Sequence, residues 1–553
     1  MCRGARAGRA GLSADNRVDS RVDFYVQHLG VLKEARSQWN VQWEEAAARI
    51  LPVHKSSFWG SPAQQGQEGQ KKTEQQFDST ASIAAHRFSA IIESLVTPQG
   101  APWHLLKVVD KQLARNRQVR NFFDELNDKL YDYRYRPVAN FVGNVQQVYL
   151  GLGVYGNGVL YIDRPDKQRG LRYRSIHIGE VYLVENHAHV VDTVYREFPR
   201  DARQLVQQFG DAVPAEIREK AGQATQSAQK FNVLHVVHPR EDFVPGALFD
   251  RGMQFVSIYI LLDGNEKKIL KEGGYNSFPY AVSRYTQSAG ETYGRGPAQW
   301  VLPAIKTLNE QKKTVLKQGH RVVDPVLLLH DDGNFSLKAG AQNAGMVTKD
   351  GKPLAHVLPT GNIAVGDKMM EMERAVINDM FLIALFQILV DRPQMTATEV
   401  LEFAREKGIL LAPTASKIES DFLGTTLERE IDLLGQQGLM PEMPGILRSA
   451  IAEYRIEYDS PMSRMRRMEK VSGFMRALDV TGNYSKMTGD VTPLDHFDFD
   501  TAMPEVLDIM GAPVRWTRSP EGIAALREQR SQQQQIQQLT EVAPALASVA
   551  KSN

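Results

Sequence analysis

The sequence predicts an α+β protein with a strand-rich block between two helical regions. Hydrophobic residues recur every three or four positions before residue 153, close to every second position from 153 to 285, and every three or four positions again from 293 onward. A chain of 553 residues has room for several domains and a substantial core. The three segments therefore represent structural regions of different kinds.

Composition limits the classes of function. The 66 Lys and Arg residues nearly balance the 65 Asp and Glu residues, and the formal net charge is +1. This balance argues against tight binding of nucleic acid, which needs many cations, but it is compatible with DNA sliding past the protein. The single cysteine, Cys2, rules out an intrachain disulfide and favours a reducing compartment. The longest apolar stretch, 380–390, is too short to span a bilayer, so we expect no membrane insertion.

The first region is predicted to be mostly helical. Residues 1–20 are small, basic and aperiodic, which is typical of a disordered extension. Pro52 ends the first helix, and Pro137 marks a kink or boundary in a later one. The predicted elements are helices over 22–50, 80–95 and 121–152 and a strand over 103–109.

The second region, residues 153–285, has the period of strands. One amphipathic helix, residues 201–209, interrupts them. The predicted strands are 159–162, 172–176, 181–185, 189–197, 233–238 and 257–262. The result is a mixed α/β block.

A long helix is predicted within Tyr293–Val323. Gly294 and Gly296 precede it, and Pro297 suits its first turn, where the missing N–H would have no helical partner. Apolar side chains then recur every seven residues, so a narrow stripe follows a helix roughly 37 Å long. The stripe consists of Val301, Leu308, Val315 and Val322, with Ile305 between the first two.

The long helix carries a basic face, and the next predicted helix, residues 367–386, is more acidic. The basic residues are Lys306, Lys313, Lys317 and Arg321. The apolar stripe of the second helix is predicted to be Met369, Met372, Val376, Met380 and Ile383, and its outer face carries Asp367, Glu371, Glu373 and Asp379. Side by side, the two helices would be complementary in charge.

The segment between these helices, residues 324–364, is predicted to contain strands and turns. Runs typical of strands are 326–329, 335–337 and 354–358, and the turn signals are 332–334 and 350–351. After the second helix the chain breaks at Asp391-Arg392-Pro393. Thr396 and Glu399 then form a capping box that opens a third helix.

This order of segments resembles the head-to-tail connector, or portal, proteins of short-tailed (podovirus-type) tailed phages. Three runs carry the resemblance: YGRGPAQWVLPAIKTLNE from Tyr293, TATEVLEFAREKG from Thr396 and LEREIDLLGQQGLMPEMP from Leu427. It covers roughly residues 25–515. Each run is moderately specific by itself, and their order and spacing make the match strong.

The resemblance implies a portal fold assembled as a ring, twelvefold in this family. For residues 519–553 a helix of a C-terminal barrel and a disordered tail both stay open. The implied domains are a disordered extension (1–20), N-terminal helices with a mixed α/β wing (21–292), a first stem helix (293–323), a clip (324–364), a second stem helix (365–386), a tunnel loop (387–395), a long helical region with the wing return (396–465), a crown (466–518), and the barrel helix or tail (519–553).

The role implied by the resemblance is mechanical, without catalytic residues, cofactor or metal. The ring would be the channel through which double-stranded DNA is packaged and ejected at one capsid vertex of the virion, after assembly in the cytoplasm of the host bacterium. The implied partners are further copies of the chain, the large terminase subunit (the packaging ATPase), the tail adaptor, the major capsid and scaffolding proteins, and the DNA itself.

Three sets of candidate site residues follow from this resemblance. The candidates for the DNA channel are Lys306, Lys313, Lys317 and Arg321. The candidates in the tunnel loop are Ile388, Asp391, Arg392 and Gln394. The candidates for terminase or adaptor contact in the clip are His330, Asp331, Asp332, Lys349, Asp350 and Lys352.

Other interpretations stay open at this point. Residues 151–156 have the GxGxxG spacing of dinucleotide-binding loops, but they follow a helical run instead of a strand, so a turn is favoured over a nucleotide-binding enzyme. His235 and His238 would lie on opposite faces of a strand, which disfavours a shared metal. His496, Asp498 and Asp500 alternate as on one strand face, and a solvated face is favoured over a cation site. Another ring-forming head-tail or tail-tube component around DNA is the main alternative function.

Overall fold

The computed structural model describes most of the chain and divides it into two compact units, Met1–Ser460 and Pro461–Asn553. The described residues are 14–52, 58–60, 62, 76–100, 102–110, 112–113, 116–165, 168–264, 267–328, 336–359, 363–383, 413–450, 454–458, 461–490, 492–509, 518 and 522–533. Among the helices of this described part, none is long and apolar enough to cross a membrane.

The N-terminal region is helical, as predicted, with different boundaries. Its elements are α1 (Ala14–Ala35), α2 (Ser37–Ile50), α3 (Thr80–Val96), β1 (His104–Val108), α4 (Arg117–Arg134) and α5 (Phe141–Tyr155). Residues 14–20 belong to α1, so the prediction of disorder is wrong for them, while residues 1–13 lie outside the described part. The boundary expected near Pro137 is confirmed.

The single helix predicted over 22–50 is two helices, which meet at Arg36. The guanidinium of Arg36 is buried and donates hydrogen bonds to three carbonyls around the start of β4 (Val181–Glu185). The acceptors are Ile178 at 3.1 Å, Gly179 at 2.9 Å and Val181 at 2.6 Å. These hydrogen bonds therefore hold the boundary between α1 and α2 against the start of β4.

The strand region forms two antiparallel sheets. The three-stranded sheet has the order β3 (Arg172–Ile176), β2 (Asn157–Asp163), β9 (Tyr280–Arg284). The five-stranded sheet has the order β4, β5 (Val191–Asp201), β6 (Lys230–Pro239), β7 (Phe255–Leu261), β8 (Lys268–Tyr275). Between β5 and β6 lie α6 (Ala202–Phe209) and α7 (Ala215–Gly222). The six predicted strands are all present, whereas β8, β9 and α7 were not predicted.

A buried histidine joins the two sheets. His235 on β6 lies 2.7 Å from the hydroxyl of Tyr280 on β9 and 3.0 Å from the hydroxyl of Ser257 on β7. Its ring also stacks on Tyr259 at a centroid distance of 4.0 Å. Burial lowers the pKa of His235 well below its ordinary value, so the ring is neutral at pH 7. His238 contacts the Tyr25 hydroxyl on α1 instead. The two histidines therefore lie on opposite faces of β6, as predicted.

The glycines at 151–156 serve helix packing. Gly151 and Gly153 lie inside α5, and only Gly156, at the end of that helix, has a left-handed backbone, with φ of +74°. A Cβ at Gly153 would lie 2.8 Å from the ring of Phe88 on α3. The predicted turn is thus limited to Gly156. Gly153 lets α3 and α5 approach closely, whereas a Cβ at Gly151 would lie 3.1 Å from the backbone carbonyl oxygen of Asn157.

The helices after residue 412 return to this core. They include a π-helical stretch (Ile418–Leu423), α10 (Gly424–Gln436) and α11 (Gly445–Ala450), and β12 (Tyr454–Tyr458) pairs with β1. In α10, Glu430 is fully buried and accepts hydrogen bonds from Arg134 Nε on α4 at 3.0 Å and from the Tyr173 hydroxyl on β3 at 2.6 Å. The Glu430 carboxylate therefore links α10 to α4 through an ion pair and to β3 through a hydrogen bond, although these elements are far apart in the sequence.

The second unit is helical in its described residues. It contains α12 (Pro461–Thr488), a 3-10 turn (Thr492–His496), α13 (Phe499–Ile509) and a helical stretch over 522–533. The prediction that His496, Asp498 and Asp500 share a strand face is wrong. Asp498 instead accepts hydrogen bonds from the backbone N–H groups of Asp500 and Thr501 at the start of α13, a helix-capping role that alternation in the sequence cannot distinguish from a strand.

Replacing Glu430 with Gln should destabilise the first unit strongly. Burial alone would lower the pKa of Arg134, and the Glu430 carboxylate outweighs this and keeps the pKa above its ordinary value. Without that carboxylate a buried charge is left uncompensated, and we expect the free energy of unfolding to fall by about 3–5 kcal/mol. Urea titration followed by tryptophan fluorescence measures this, since Trp103 lies 4.5 Å from the Arg134 guanidinium.

The matched control for Glu430→Gln is Asp132→Asn on α4, which removes the exposed salt-bridge partner of Arg136, four residues later in the chain. An exposed pair of this kind contributes about 0–1 kcal/mol. Equal losses in the two variants would contradict a special role for the buried pair.

Candidate functional site

Two long helices, α8 (Pro297–Val323) and α9 (Ile363–Met380), form an antiparallel pair that we call the helix hairpin. A Cβ at Gly366 of α9 would lie 2.8 Å from Val315 of α8, whereas Arg374 of α9 lies at the level of Asn309, because both contact Asp78. Later residues of α9 thus lie beside earlier residues of α8. The predicted long helix is confirmed almost to the residue.

The start of α8 is fixed by a contact between glycines. A Cβ at Gly156 would lie 2.5 Å from the backbone N of Gly296, so only glycine fits there. Asn157 is buried beside it and bonds both backbone groups of Gly294, donating to the carbonyl at 3.0 Å and accepting from the N–H at 2.8 Å. The side chain of Gln299 accepts a hydrogen bond from Gly296 N at 2.9 Å. These contacts fix the start of α8 against the end of α5 and the start of β2.

Only the first half of α8 packs into the core of the first unit. Val301, Ile305 and Leu308 are buried, as the seven-residue spacing predicts. From Glu310 to Val323 no side chain is buried in the described part of the chain, and Val322 is 47% exposed. The apolar stripe therefore continues at Val322 as an exposed position, because the helix extends past the described part of the body.

The buried face of α9 is not the predicted one. Its buried residues are Met370 and Ile377, followed by Phe381 just after the helix, which packs on Phe88. Met369, Met372, Val376 and Met380 of the predicted stripe are exposed, and Ile383 alone is buried. α9 has two apolar stripes one residue apart, and spacing alone does not show which one faces the core. The helix ends at Met380, short of the predicted residue 386.

Asp78, just before α3, anchors both helices of the hairpin. Its carboxylate accepts a hydrogen bond from Arg374 on α9 at 2.8 Å, and its backbone N–H donates to the Asn309 side chain on α8 at 3.1 Å. It also accepts from Thr80 N at 2.8 Å. Burial by itself would raise the pKa of Asp78, but the hydrogen bonds from Thr80 and Arg374 outweigh it and hold that pKa below 3.8.

The candidate cations of α8 fall into two pairs. Lys306 forms a 2.5 Å salt bridge with Glu45 on α2, and Lys313 lies 3.6 Å from Glu310 and over the Phe77 ring. Lys317 and Arg321 are exposed, and among the described residues neither has a salt bridge. Within the described residues no salt bridge joins α8 to α9.

The segment joining the helices contains a short antiparallel ladder and one described turn. β10 (Leu327–Leu328) pairs with β11 (His356–Val357), inside two of the predicted runs, and no strand forms at 336–337. At 349–352 the predicted turn is present: Gly351 has φ of +79°, and Thr348 N donates to Lys352 O at 2.8 Å. Lys349, Asp350 and Lys352 lie at this exposed turn.

Several candidates lie outside the described residues. They are the clip residues His330, Asp331 and Asp332, the tunnel-loop residues Ile388, Asp391, Arg392 and Gln394, and the capping box at 396–399. No group of three or more potential metal-ligating side chains occurs among the described residues.

One model of a known protein family matches most of the chain. The model described as bacteriophage head to tail connecting protein matches residues 26–517. The chain belongs to this family. The match spans the helix hairpin and both helical regions around the sheets, and it agrees with the resemblance predicted over roughly residues 25–515.

Two curated proteins are similar to this chain over nearly their full length. The portal protein of Salmonella phage epsilon15 is 23% identical over 544 residues, which cover 97% of this chain and 95% of that protein. The probable portal protein of Bordetella phage BPP-1 is 25% identical over 535 residues, covering 93% and 92%. Among solved structures, a chain of the virion of a native gene transfer agent particle has a TM-score of 0.35 and 12% identity over 71% of this chain and 84% of that one.

Replacing Asp78 with Asn should loosen α9. The amide still accepts from Thr80 N, but the charged partner of Arg374 is lost, which weakens the anchor by about 1–2 kcal/mol. We expect amide hydrogen exchange in residues 363–380 to become about 5–30 times faster. Because the pKa of Asp78 is lowered in the folded chain, wild type should approach the variant only as the pH falls below 3.8.

Glu272→Gln is the control for this experiment, since it removes the exposed salt bridge between Glu272 on β8 and Arg21 on α1. Exchange in α9 should not change in that variant. Unchanged exchange in Asp78→Asn as well would show that the hairpin is held by its apolar contacts alone.

Proposed function

We propose that the chain forms a ring of identical copies, twelve by analogy with the family, at one vertex of a phage capsid. The observation that carries this proposal is the helix hairpin, whose α8 continues for fourteen residues (310–323) without a buried side chain. A helix of that length is rarely stable unless another surface covers it. Neighbouring copies supply such a surface in a ring.

The domains predicted from the resemblance supply the parts of this ring. Residues 21–292 and 396–465 are proposed as the wing, the hairpin as the stem, and 324–364 as the clip. We propose residues 466–518 as the crown and 519–553 as a barrel helix or tail. Rotational symmetry makes each contact between copies heterologous, so one face of the stem must fit a different face on the next copy.

The proposed role is to hold a passage for double-stranded DNA, without catalysis. The near-neutral charge of the chain, +1, supports this, because a wall that bound many phosphates would slow DNA that has to move. The exposed cations Lys317 and Arg321 are the strongest channel candidates, since Lys306 and Lys313 already have partners within the chain. The loop 387–395 is proposed to narrow the passage.

The proposed partners follow from the same position. The clip would meet the packaging ATPase, the large terminase subunit, during filling and the tail adaptor afterwards, and the wing would meet the major capsid and scaffolding proteins. The ring would assemble in the bacterial cytoplasm and remain in the virion.

Negative-stain microscopy of the purified chain tests the proposal directly. We expect closed rings with a central opening wide enough for duplex DNA, about 20 Å or more across, seen down a rotational axis. Monomers at every protein concentration and ionic strength tried would refute it.

Reversing the charge at Lys317 and Arg321 should leave rings intact and change packaging. The Lys317→Glu, Arg321→Glu double variant places carboxylates near DNA phosphates, and we expect packaged DNA per particle or its retention to fall at least several-fold in an in vitro packaging assay. The control is Lys267→Glu, Lys268→Glu at the start of β8, also exposed. Wild-type packaging and retention in the first variant would show that this face of α8 does not line the passage.

Charge reversal at the described clip turn should weaken docking of the ATPase. In the Lys349→Glu, Lys352→Glu variant we expect the apparent Kd between rings and the purified terminase large subunit to rise about tenfold, while rings still form. Removing rim charges mainly slows association, so the difference should shrink at high salt. Binding equal to wild type at low salt would place the docking surface elsewhere.

A further inference from the structure

Three arginines on two different strands lie close together in the sheet region. We call this set the arginine cluster: Arg196 and Arg200 on β5, and Arg174 on β3. Residues 196, 198 and 200 alternate along β5, so their side chains leave the same face of the five-stranded sheet. Arg196 and Phe198 are buried, Arg200 is half-buried and Arg174 is exposed. The cluster therefore extends from the interior of the sheet region to its surface.

The two arginines of β5 share one aromatic neighbour. The guanidinium carbon of Arg196 lies 4.4 Å from the ring centroid of Phe198, and that of Arg200 lies 4.6 Å from the same centroid. Each contact is a cation–π interaction, and the buried ring excludes water from one side of both cations. Both positive groups are therefore held beside one ring, close enough together for a single anion with several oxygens to contact both.

The cluster carries more positive charge than its surroundings neutralise. Arg196 donates to Oε2 of Glu180, which precedes β4, from Nε at 3.3 Å and from Nη2 at 3.1 Å. Arg200 makes a long hydrogen bond of 3.5 Å to the carbonyl of Pro199. In the described part of the chain, neither Arg174 nor Arg200 forms a salt bridge. Three guanidinium groups and one carboxylate thus leave two positive charges unmatched among these residues.

The pKa of Arg200 reflects this excess of positive charge. Burial, and next the charges of Arg196 and Arg174, lower that pKa to about 10. The pKa of Arg134 is raised instead, because the carboxylate of Glu430 outweighs the effect of burial. Arg200 remains protonated at pH 7, so its charge persists against repulsion that a bound anion would relieve. Because the charge of Arg174 reaches Arg200, both β3 and β5 contribute to the cluster.

The unmatched charge favours one class of anion. A carboxylate side chain offers a single negative charge and two oxygens. A terminal phosphate group carries about 1.5–2 negative charges at pH 7 and three acceptor oxygens. Guanidinium groups bind such oxygens through paired N–H donors. Two unmatched positive charges therefore fit a dianionic phosphate better than a protein carboxylate or the singly charged phosphodiester of DNA.

We propose that the arginine cluster is a binding site for a dianionic phosphate group, either inorganic phosphate or the terminal phosphate of a small molecule. Arg200 and Arg174 would donate to its oxygens, and Arg196 would add positive charge from the position that Glu180 fixes. The site lies within one chain, so this inference goes beyond the proposed ring and does not rest on it.

Isothermal titration calorimetry of the purified full chain with sodium phosphate, at constant ionic strength, tests the site. We expect saturable binding of one phosphate per chain. Arg200→Gln and Arg174→Gln should each weaken binding at least about tenfold, because each removes charge-assisted hydrogen bonds. Arg200→Lys keeps the charge without the paired donors and should give an intermediate affinity.

The matched control is Arg218→Gln, which removes an exposed arginine that already has Asp211 as its partner at 3.2 Å. Phosphate affinity should not change in this variant. Circular dichroism checks the fold of every variant, and Arg174→Gln keeps the test decisive if Arg200→Gln does not fold, since Arg174 is exposed.

Competition identifies the source of the phosphate group. Adenosine 5′-monophosphate should displace phosphate and adenosine should not, and a monophosphate that binds at least tenfold more tightly than phosphate would identify a nucleotide as the ligand. Duplex DNA without terminal phosphates should not compete. Displacement by that duplex alone, or equal displacement by sodium acetate, would overturn the dianion site.

Two further results would overturn the inference: no saturable phosphate binding by wild type, and equal weakening in Arg174→Gln and Arg218→Gln. Neither result bears on whether rings form. Conversely, phosphate binding with the expected variant effects, in a chain that forms no rings, would support this site and refute the proposed function.

Discussion

The close contact of Gly156 with Gly294–Gly296 decides how the two halves of the first unit relate to each other. Gly156 ends the helix that packs on α3, and the residue after it, Asn157, begins the central strand of the three-stranded sheet. The same two residues hold the backbone that leads into α8. The sheet core and the helix hairpin therefore share one rigid junction of backbone atoms, in which any side chain at Gly156 would force them apart.

Much of this architecture is predictable from local sequence, and the failures have physical causes. The start of α8 follows from the two glycines before it and from Pro297 in its first turn. The six predicted strands follow from the recurrence of apolar side chains at nearly every second position. Strand β8 was missed because it is an edge strand whose Lys268, Lys271 and Glu272 hide the alternation. Asp498 was assigned to a strand because a capping side chain and an outward strand residue look alike in a short polar run.

Only part of the candidate site was predicted correctly, for a related reason. Sequence spacing identifies that α9 is amphipathic, but the helix has apolar side chains over more than half of its circumference, and the choice between Met369 and Met370 as the buried residue depends on what packs beside it. The anchoring role of Asp78 could not be foreseen either, since Arg374 is 296 residues away. One signal was available: an aspartate side chain commonly accepts a hydrogen bond from the backbone N–H two residues later, as Asp78 does from Thr80.

The anchor at Asp78 has a mechanical consequence. It holds the hairpin near Asn309, and from there α8 projects about 21 Å to Val323. The hairpin is then anchored at Asp78, whose backbone N–H bonds Asn309 on α8 and whose carboxylate bonds Arg374 on α9. A tilt of roughly 5° about that point displaces the far end of α8 by about 2 Å. Asp78 lies two residues before α3, whose Phe88 packs on Gly153 of α5, so the same tilt applies a load to α3 and α5. Force applied at the far end of α8 would thus be transmitted to α3 and α5.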